Sequence, residues 1–91
     1  MEFKDTIEMM MSEDYKERFK AEYYQTKIRY ERLKAFNNKI EAADMTDYKG
    51  MDAVKKPKHD CPPHLLVAQQ RTMGEYLHIL EVRAVIEGID L

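Results

Sequence analysis

The sequence predicts an all-α protein: an antiparallel hairpin of two long helices with a short N-terminal helix, assembled as a helical oligomer. Apolar residues recur three and four positions apart through two long stretches, which is the period of a helix with a buried side. No glycine or proline interrupts the first stretch, between residues 13 and 43. Each stretch also carries apolar residues on a second side, which one hairpin leaves uncovered. A chain of 91 residues buries only a small core, so we expect association at least into a dimer.

The whole chain, residues 1–91, is predicted to form one helical domain in four segments. These are a short helix at 1–11, a long helix at 13–43, a loop at 44–61 and a second long helix at 62–87. In the first segment Phe3, Ile7 and Met10 recur at helical spacing, which predicts a helix that docks on the hairpin. Ser12 is the predicted N-cap of the first long helix.

The first long helix is predicted to pack on the second through an aromatic stripe. This stripe consists of Tyr15, Phe19, Tyr23, Thr26, Tyr30, Leu33, Asn37 and Ile40. Its polar members predict that part of the seam lines a cavity, because buried tyrosine hydroxyls need hydrogen-bond partners. A narrower stripe on the opposite side is interpreted as a self-association surface. Its members are Ala21, Tyr24, Ile28 and Ala35.

The loop between the long helices carries Gly50, Pro57 and a basic run over residues 55–59. It is longer than the roughly two to eight residues usual between paired helices. It is either a functional lid or a mobile insertion, and we favour the mobile insertion.

The second long helix has a marked start and a marked end. Pro62 and Pro63 suit a first helical turn that Asp60 or Cys61 would cap, and Gly88 suits a left-handed C-terminal position. One apolar side holds Leu66, Met73, Leu77, Leu80 and Ala84. A second apolar side holds Leu65, Ala68, Thr72, Ile79, Val82 and Ile86. This helix must therefore be covered from two directions.

Composition excludes several classes of function. A net charge of -2 with 35% charged residues gives no basic excess for nonspecific nucleic-acid binding, and no apolar run approaches a membrane span. The single cysteine, Cys61, and the lack of an apolar leader predict the cytoplasm of the host cell.

The chain offers no set of residues typical of catalysis or of a cofactor site. His59, Asp60, Cys61 and His64 lie close in sequence, but no second group completes a four-coordinate metal site. Phosphate-binding glycine motifs are also missing. We expect no metal, no cofactor and no enzymatic activity.

Several cations lie beside the aromatic stripe of the first long helix, among them Lys27 next to Tyr23 and Tyr30. Such charges commonly only solvate a helix. The alternative interpretation is that cations and tyrosine rings together bind the phosphates and the base of a nucleotide.

Two segments carry a resemblance to known families. Residues 14–18, Asp-Tyr-Lys-Glu-Arg, together with residues 73–84, from Met-Gly-Glu-Tyr to Val-Arg-Ala, resemble a family of small phage and prophage proteins of gut Firmicutes. That family is named after a protein of a crAss-like phage. The resemblance covers most of residues 12–91 and implies a phage accessory protein.

A second resemblance concerns residues 68–74, Ala-Gln-Gln-Arg-Thr-Met-Gly, followed by residues 83–85, Arg-Ala-Val. These segments are similar to the last helix of the phage anti-CBASS sponges, small helical oligomers that trap cyclic nucleotide signals of bacterial immunity. The resemblance implies ligand-binding roles for Arg71 and Thr72.

Two hypotheses of function follow from the sequence. The first is a counter-defence sponge that binds a signalling nucleotide between subunits, where Arg71 and Thr72 face Tyr23, Lys27 and Tyr30. The second is a helical adaptor or inhibitor that binds a host or phage protein through its exposed apolar face.

Overall fold

In the computed structural model, which describes residues 1–91, the chain is all-helical, as the sequence predicts. A 3-10 turn, Phe3–Thr6, leads into helix α1, Ile7–Met10. Helix α2 spans Tyr15–Thr46, a second 3-10 segment spans Asp47–Asp52, and helix α3 spans Pro63–Glu87. None of these helices combines the length and the hydropathy that a membrane span requires.

Helix α2 begins two residues later than predicted and is capped by a different residue. Asp14 has an extended backbone, and its Oδ1 accepts a hydrogen bond from the Lys16 backbone N–H at 2.9 Å. Ser12 supports this cap from outside the helix, because its hydroxyl oxygen accepts from the Asp14 N–H at 3.0 Å. The prediction of Ser12 as the N-cap was therefore wrong, because Asp14 lies nearer the helix and its carboxylate accepts the hydrogen bond from the free Lys16 N–H.

Helices α2 and α3 pack antiparallel along one seam. Tyr15 near the start of α2 contacts Glu87 at the end of α3, whereas Asn37 contacts Leu66 near the start of α3. The main core cluster of this seam is Phe19, Tyr23, Leu77, Leu80, Ala84 and Ile89. The aromatic stripe of α2 and the first apolar side of α3 are thus the two surfaces that meet.

The N-terminal segment covers the opposite side of α2. Thr6 is 0% exposed, and its hydroxyl oxygen accepts a hydrogen bond from Gln25 Nε2 at 2.9 Å. The guanidinium carbon atoms of Arg29 and Arg32 lie 5.4 and 4.7 Å from the centre of the Phe3 ring.

This docking differs from the prediction, because Ile7 and Met10 remain exposed. The first turn is a 3-10 helix with three residues per turn, so Phe3 and Thr6 share the docked side. Ala21, one helical turn before Gln25, is buried at 1% exposure. The side of α2 interpreted as a self-association surface is therefore partly occupied by the chain itself.

The segment between α2 and α3 runs back along α2. Helix α2 continues to Thr46 instead of ending at 43, and its Thr46 hydroxyl oxygen accepts from the Val54 N–H at 2.9 Å. Further along, Lys56 Nζ pairs with Asp44 at 2.9 Å, and the His59 ring packs edge-on against Phe36. These contacts place the segment along the last turns of α2, and the mobile insertion that we favoured over a lid stays a prediction.

Helix α3 begins one residue later than predicted and ends at the predicted residue, Glu87. Its N-cap is Pro62 and no side chain caps it, so the expected capping by Asp60 or Cys61 is wrong. Its C-cap is Gly88 in the left-handed conformation, with φ 69° and ψ 35°, as predicted. The turn at Gly88 directs the next residue, Ile89, back into the core at 6% exposure.

The second apolar side of α3 is uncovered. Leu65, Ile79 and Ile86 are 54%, 55% and 78% exposed, in contrast to Leu77 and Leu80 on the seam side. The molecule is elongated, with principal extents of 54 × 25 × 20 Å and a radius of gyration of 17.0 Å.

Candidate functional site

The candidate site is a groove along one edge of the α2–α3 seam. Its volume is about 970 Å³. Helix α2 contributes Tyr30, Asn37, Asn38, Ile40, Glu41, Asp44 and Met45. Helix α3 contributes Pro63, Val67, Gln70, Arg71, Gly74, Glu75, His78 and Ile79. The groove therefore combines apolar, amide and charged side chains from both long helices.

A close approach between Tyr30 and Gly74 shapes one end of the groove. A Cβ atom added at Gly74 would lie 3.2 Å from Cε1 of the Tyr30 ring, which is closer than an ordinary carbon contact. The glycine thus lets the aromatic ring of α2 rest against the backbone of α3. The half-buried ring then presents a flat surface at the groove.

Amide groups line the middle of the groove. Asn37 is buried, and its Nδ2 donates to the Leu66 carbonyl at 3.2 Å and to Gln70 Oε1 at 2.9 Å. Its Oδ1 is buried and has no hydrogen-bond partner. A buried acceptor without a partner is costly, and it belongs to one of the residues that line the groove.

The charges of the groove are mixed. Arg71 is exposed and forms no ion pair or hydrogen bond within the chain. Glu41 and Glu75 are also unpaired, whereas Asp44 is paired with Lys56. The Arg71 guanidinium can therefore donate hydrogen bonds to an anionic group, and the carboxylates can accept hydrogen bonds from neutral donors.

A smaller pocket of about 200 Å³ adjoins the groove at Tyr30 and Gly74. It brings together three of the predicted site residues, Tyr23, Lys27 and Tyr30. Lys27 Nζ lies 5.8 Å from the centre of the Tyr23 ring.

Tyr23 belongs mainly to the core of this pocket. It is 5% exposed, and its hydroxyl donates to Glu81 Oε2 at 2.6 Å. Burial, with a further contribution from the Glu81 carboxylate, raises the pKa of the Tyr23 hydroxyl to about 12. The hydroxyl is therefore a neutral donor whose hydrogen is already used within the chain.

The remaining predicted residue, Thr72, lies away from both pockets. Its hydroxyl donates to the Ala68 carbonyl one turn earlier at 3.0 Å, and its side chain is exposed on the second apolar side of α3. Arg71 and Tyr30 thus meet in the groove within one chain, Tyr23 and Lys27 lie in the adjoining pocket, and Thr72 points elsewhere.

Of the fifteen groove residues, only Tyr30 and Arg71 were predicted as site residues from the sequence; Gln70, Gly74 and His78 are among those that were not. Gly74 had a detectable signal, because a glycine inside a helix, far from either end, commonly marks a close approach of another group. Gln70 and His78 had no comparable signal, since exposed polar residues on a helix are ordinary.

The fold and the groove define a class of protein: a small helical hairpin with an open groove beside its seam. The chain belongs to the Sequestin family, whose family model matches residues 13–86. The match spans both long helices and the connecting segment, and it begins after the docked N-terminal segment. No curated protein and no solved structure matches the chain.

Proposed function

We propose that the protein binds and sequesters a nucleotide immune signal. The observation that carries this proposal is the groove, in which an aromatic ring and an unpaired guanidinium face the same open volume. Its size is at the upper end of the roughly 300–1,000 Å³ usual for small-molecule sites. The name of the Sequestin family points to a sequestering role.

The groove residues match the parts of a nucleotide. The Tyr30 ring suits stacking with a base, and the Arg71 guanidinium suits paired hydrogen bonds to a phosphate. The amides of Asn38 and Gln70 suit the donor and acceptor edge of a base. The Glu75 carboxylate suits a hydrogen bond from a ribose hydroxyl, which is a common contact in nucleotide sites.

The charge balance of the groove limits the ligand. Three carboxylates, those of Glu41, Asp44 and Glu75, line it beside the single guanidinium of Arg71. A polyphosphate chain would be repelled, whereas a signal with one or two phosphates and several sugar hydroxyls would be accommodated. Association of two or more copies, which stays a prediction, would add further cations.

The biological setting of this proposal comes from the two resemblances. They support a phage or prophage accessory protein that captures a signal of bacterial immunity in the cytoplasm of the host. Capture by stoichiometric binding requires no catalytic residue and no cofactor, so the proposal is for a binding protein and not an enzyme.

The substitution Arg71→Ala tests the proposal. The Arg71 side chain is exposed and makes no ion pair or hydrogen bond within the chain, so helix content should be unchanged. Loss of a charged hydrogen-bond donor should weaken binding by about 1.5–3 kcal/mol. The measurement is calorimetric titration with cyclic dinucleotides, cyclic trinucleotides and ADP-ribose-type signals.

Two variants control this experiment. Arg71→Lys keeps the charge but loses the planar fork, so its affinity should lie between those of wild type and Arg71→Ala. Lys58→Ala removes an exposed cation of the connecting segment, outside the groove, and should bind like wild type. Absence of heat from every ligand with the wild-type protein would contradict the nucleotide proposal.

A second candidate function rests on the uncovered side of α3. Leu65, Ile79 and Ile86 form an exposed apolar surface that suits a helix of a host or phage protein. This adaptor or inhibitor hypothesis would be the survivor if no nucleotide binds.

A further inference from the structure

The exposed side of α3 carries a regular seven-residue repeat. We call it the outer stripe; its members are Leu65, Ala68, Thr72, Glu75, Ile79, Val82 and Ile86. Their spacings alternate strictly between three and four over 22 residues, which is the a/d repeat of a coiled coil. Five members are apolar, and the two polar members, Thr72 and Glu75, are adjacent in the middle.

The chain already pairs one such repeat within itself. On the seam side of α3, Leu66, Gln70, Met73, Leu77, Leu80 and Ala84 have the same alternating spacings. They face α2 antiparallel, and the polar residues of the two helices meet each other, since Asn37 donates to Gln70. The outer stripe has the same pattern with no helix facing it.

The geometry points to a second copy of this chain as the occupant of the outer stripe, with the two α3 helices antiparallel across a two-fold axis. In this register Leu65 faces Val82 of the second copy, and Ala68 faces Ile79 of the second copy. Thr72 then faces Glu75 of the second copy. In these facing pairs every apolar residue meets an apolar residue of the second copy, and the polar residues meet each other at the centre.

The central pair, Thr72 facing Glu75 of the second copy, fixes the register of this pairing. The Thr72 hydroxyl donates to Ala68 within its own helix, and rotation about its C–O bond would direct the hydrogen to the facing Glu75 carboxylate. A shift of one heptad would instead place Glu75 against Ile79, which buries a charge against an apolar side chain.

This pairing would also complete the groove. Glu75 and Ile79 belong to both the outer stripe and the groove wall, so the second copy would border the groove on its open side. The pairing itself does not depend on any ligand, so it stands or fails separately from the nucleotide proposal.

Sedimentation equilibrium tests the pairing with two matched variants of α3. Wild type should sediment at twice the chain mass of 10.8 kDa. Ile79→Lys should raise the dimer dissociation constant by more than about a hundredfold, because the substitution removes one buried isoleucine from each of the two symmetric copies. Val85→Lys changes an exposed valine outside both the stripe and the groove and should remain dimeric. A monomeric wild type at 100 μM, or an Ile79→Lys protein that stays dimeric, overturns the proposal.

Disulfide cross-linking tests the orientation, and it does not require a disruptive substitution. In a Cys61→Ser background, the double variant Leu65→Cys with Val82→Cys should form a covalent dimer under mild oxidation. Leu65→Cys alone should not, because antiparallel helices hold the two copies of position 65 about 25 Å apart at 1.5 Å per residue. Rapid cross-linking of the single variant, or none of the double variant, overturns the antiparallel register.

Discussion

At the scale of single residues, Tyr23 shows how a polar group is held in the seam. Its ring belongs to the core cluster, while its hydroxyl reaches the Glu81 carboxylate at the edge of α3. The ring supplies apolar burial, and the carboxylate satisfies the one polar atom that burial would otherwise leave without a partner. The contact therefore depends on the neutral form of the tyrosine.

This dependence predicts a loss of stability in alkali. The pKa of Tyr23 is raised from 10.0 to about 12 by burial and by Glu81, so below pH 10 both folded and unfolded chains keep the proton. As the pH rises from 10 to 12 the unfolded chain ionises first, and up to about 2–3 kcal/mol of stability is lost. Urea unfolding at several pH values in this window measures the loss.

Tyr23→Phe is the control for this alkaline loss. The variant should be less stable than wild type at neutral pH but should lose less stability between pH 10 and 12. Tyr76, whose pKa is also raised by its hydrogen bond to Glu22, contributes equally to both proteins and cancels in the difference. Parallel pH profiles for the two proteins would contradict the assignment to Tyr23.

Gly74 is the residue at which a small change should separate binding from stability. Gly74→Ala gains helix propensity, about 1 kcal/mol in a helix interior, but its Cβ must displace the Tyr30 ring. Because that ring is only half-buried, it should move outward, so we expect equal or higher stability and weaker nucleotide binding. Thermal melts and calorimetric titration measure the two effects.

Gln69→Ala also introduces alanine at an exposed position of α3, outside the groove, with little change in helix propensity. It should leave binding unchanged. Wild-type affinity in Gly74→Ala would show that the position of the Tyr30 ring does not matter to the ligand.

At the scale of the helices, the periodicity of the sequence identified the two surfaces that meet. The seam side of α3 is buried where its spacing predicts, at Leu77, Leu80 and Ala84. The helix ends were harder to predict, because Asp14 and Ser12 are equally good capping residues and only the backbone conformation decides between them. The side of the N-terminal segment that docks was missed, since a 3-10 turn changes the spacing from four to three.

Burial along the seam predicts unequal effects of two leucine substitutions. Leu77 is 6% exposed in the core cluster, so Leu77→Ala should lower the free energy of unfolding by about 2–5 kcal/mol. Leu33 lies on the same seam but is only half-buried, so Leu33→Ala should cost less. Urea unfolding of both variants gives the comparison.

Val85→Ala serves as the control for these two variants, since this valine is 83% exposed and its truncation should change little. A larger loss for Leu33→Ala than for Leu77→Ala would mean that the core is centred on the other end of the hairpin.

At the scale of the whole molecule, the antiparallel hairpin could be predicted but the groove could not. Arg71 was predicted from a family resemblance and Tyr30 from the aromatic stripe of α2. Neither observation shows that the two residues lie on the same edge of the seam. That edge depends on the rotation of each helix about its own axis, which the closeness of Tyr30 to Gly74 sets. Thr72, next to Arg71 in sequence, is turned by about 100° around the helix and so leaves the groove.

The elongated shape governs how the molecule diffuses. A radius of gyration of 17.0 Å exceeds the roughly 12 Å of a spherical domain of 91 residues, so a single hairpin experiences the drag of a larger globular protein. Pairing through the outer stripe would place two hairpins side by side and thicken the particle while adding little to its length. The frictional ratio should therefore fall on association, and hydrodynamic radius should grow more slowly than mass.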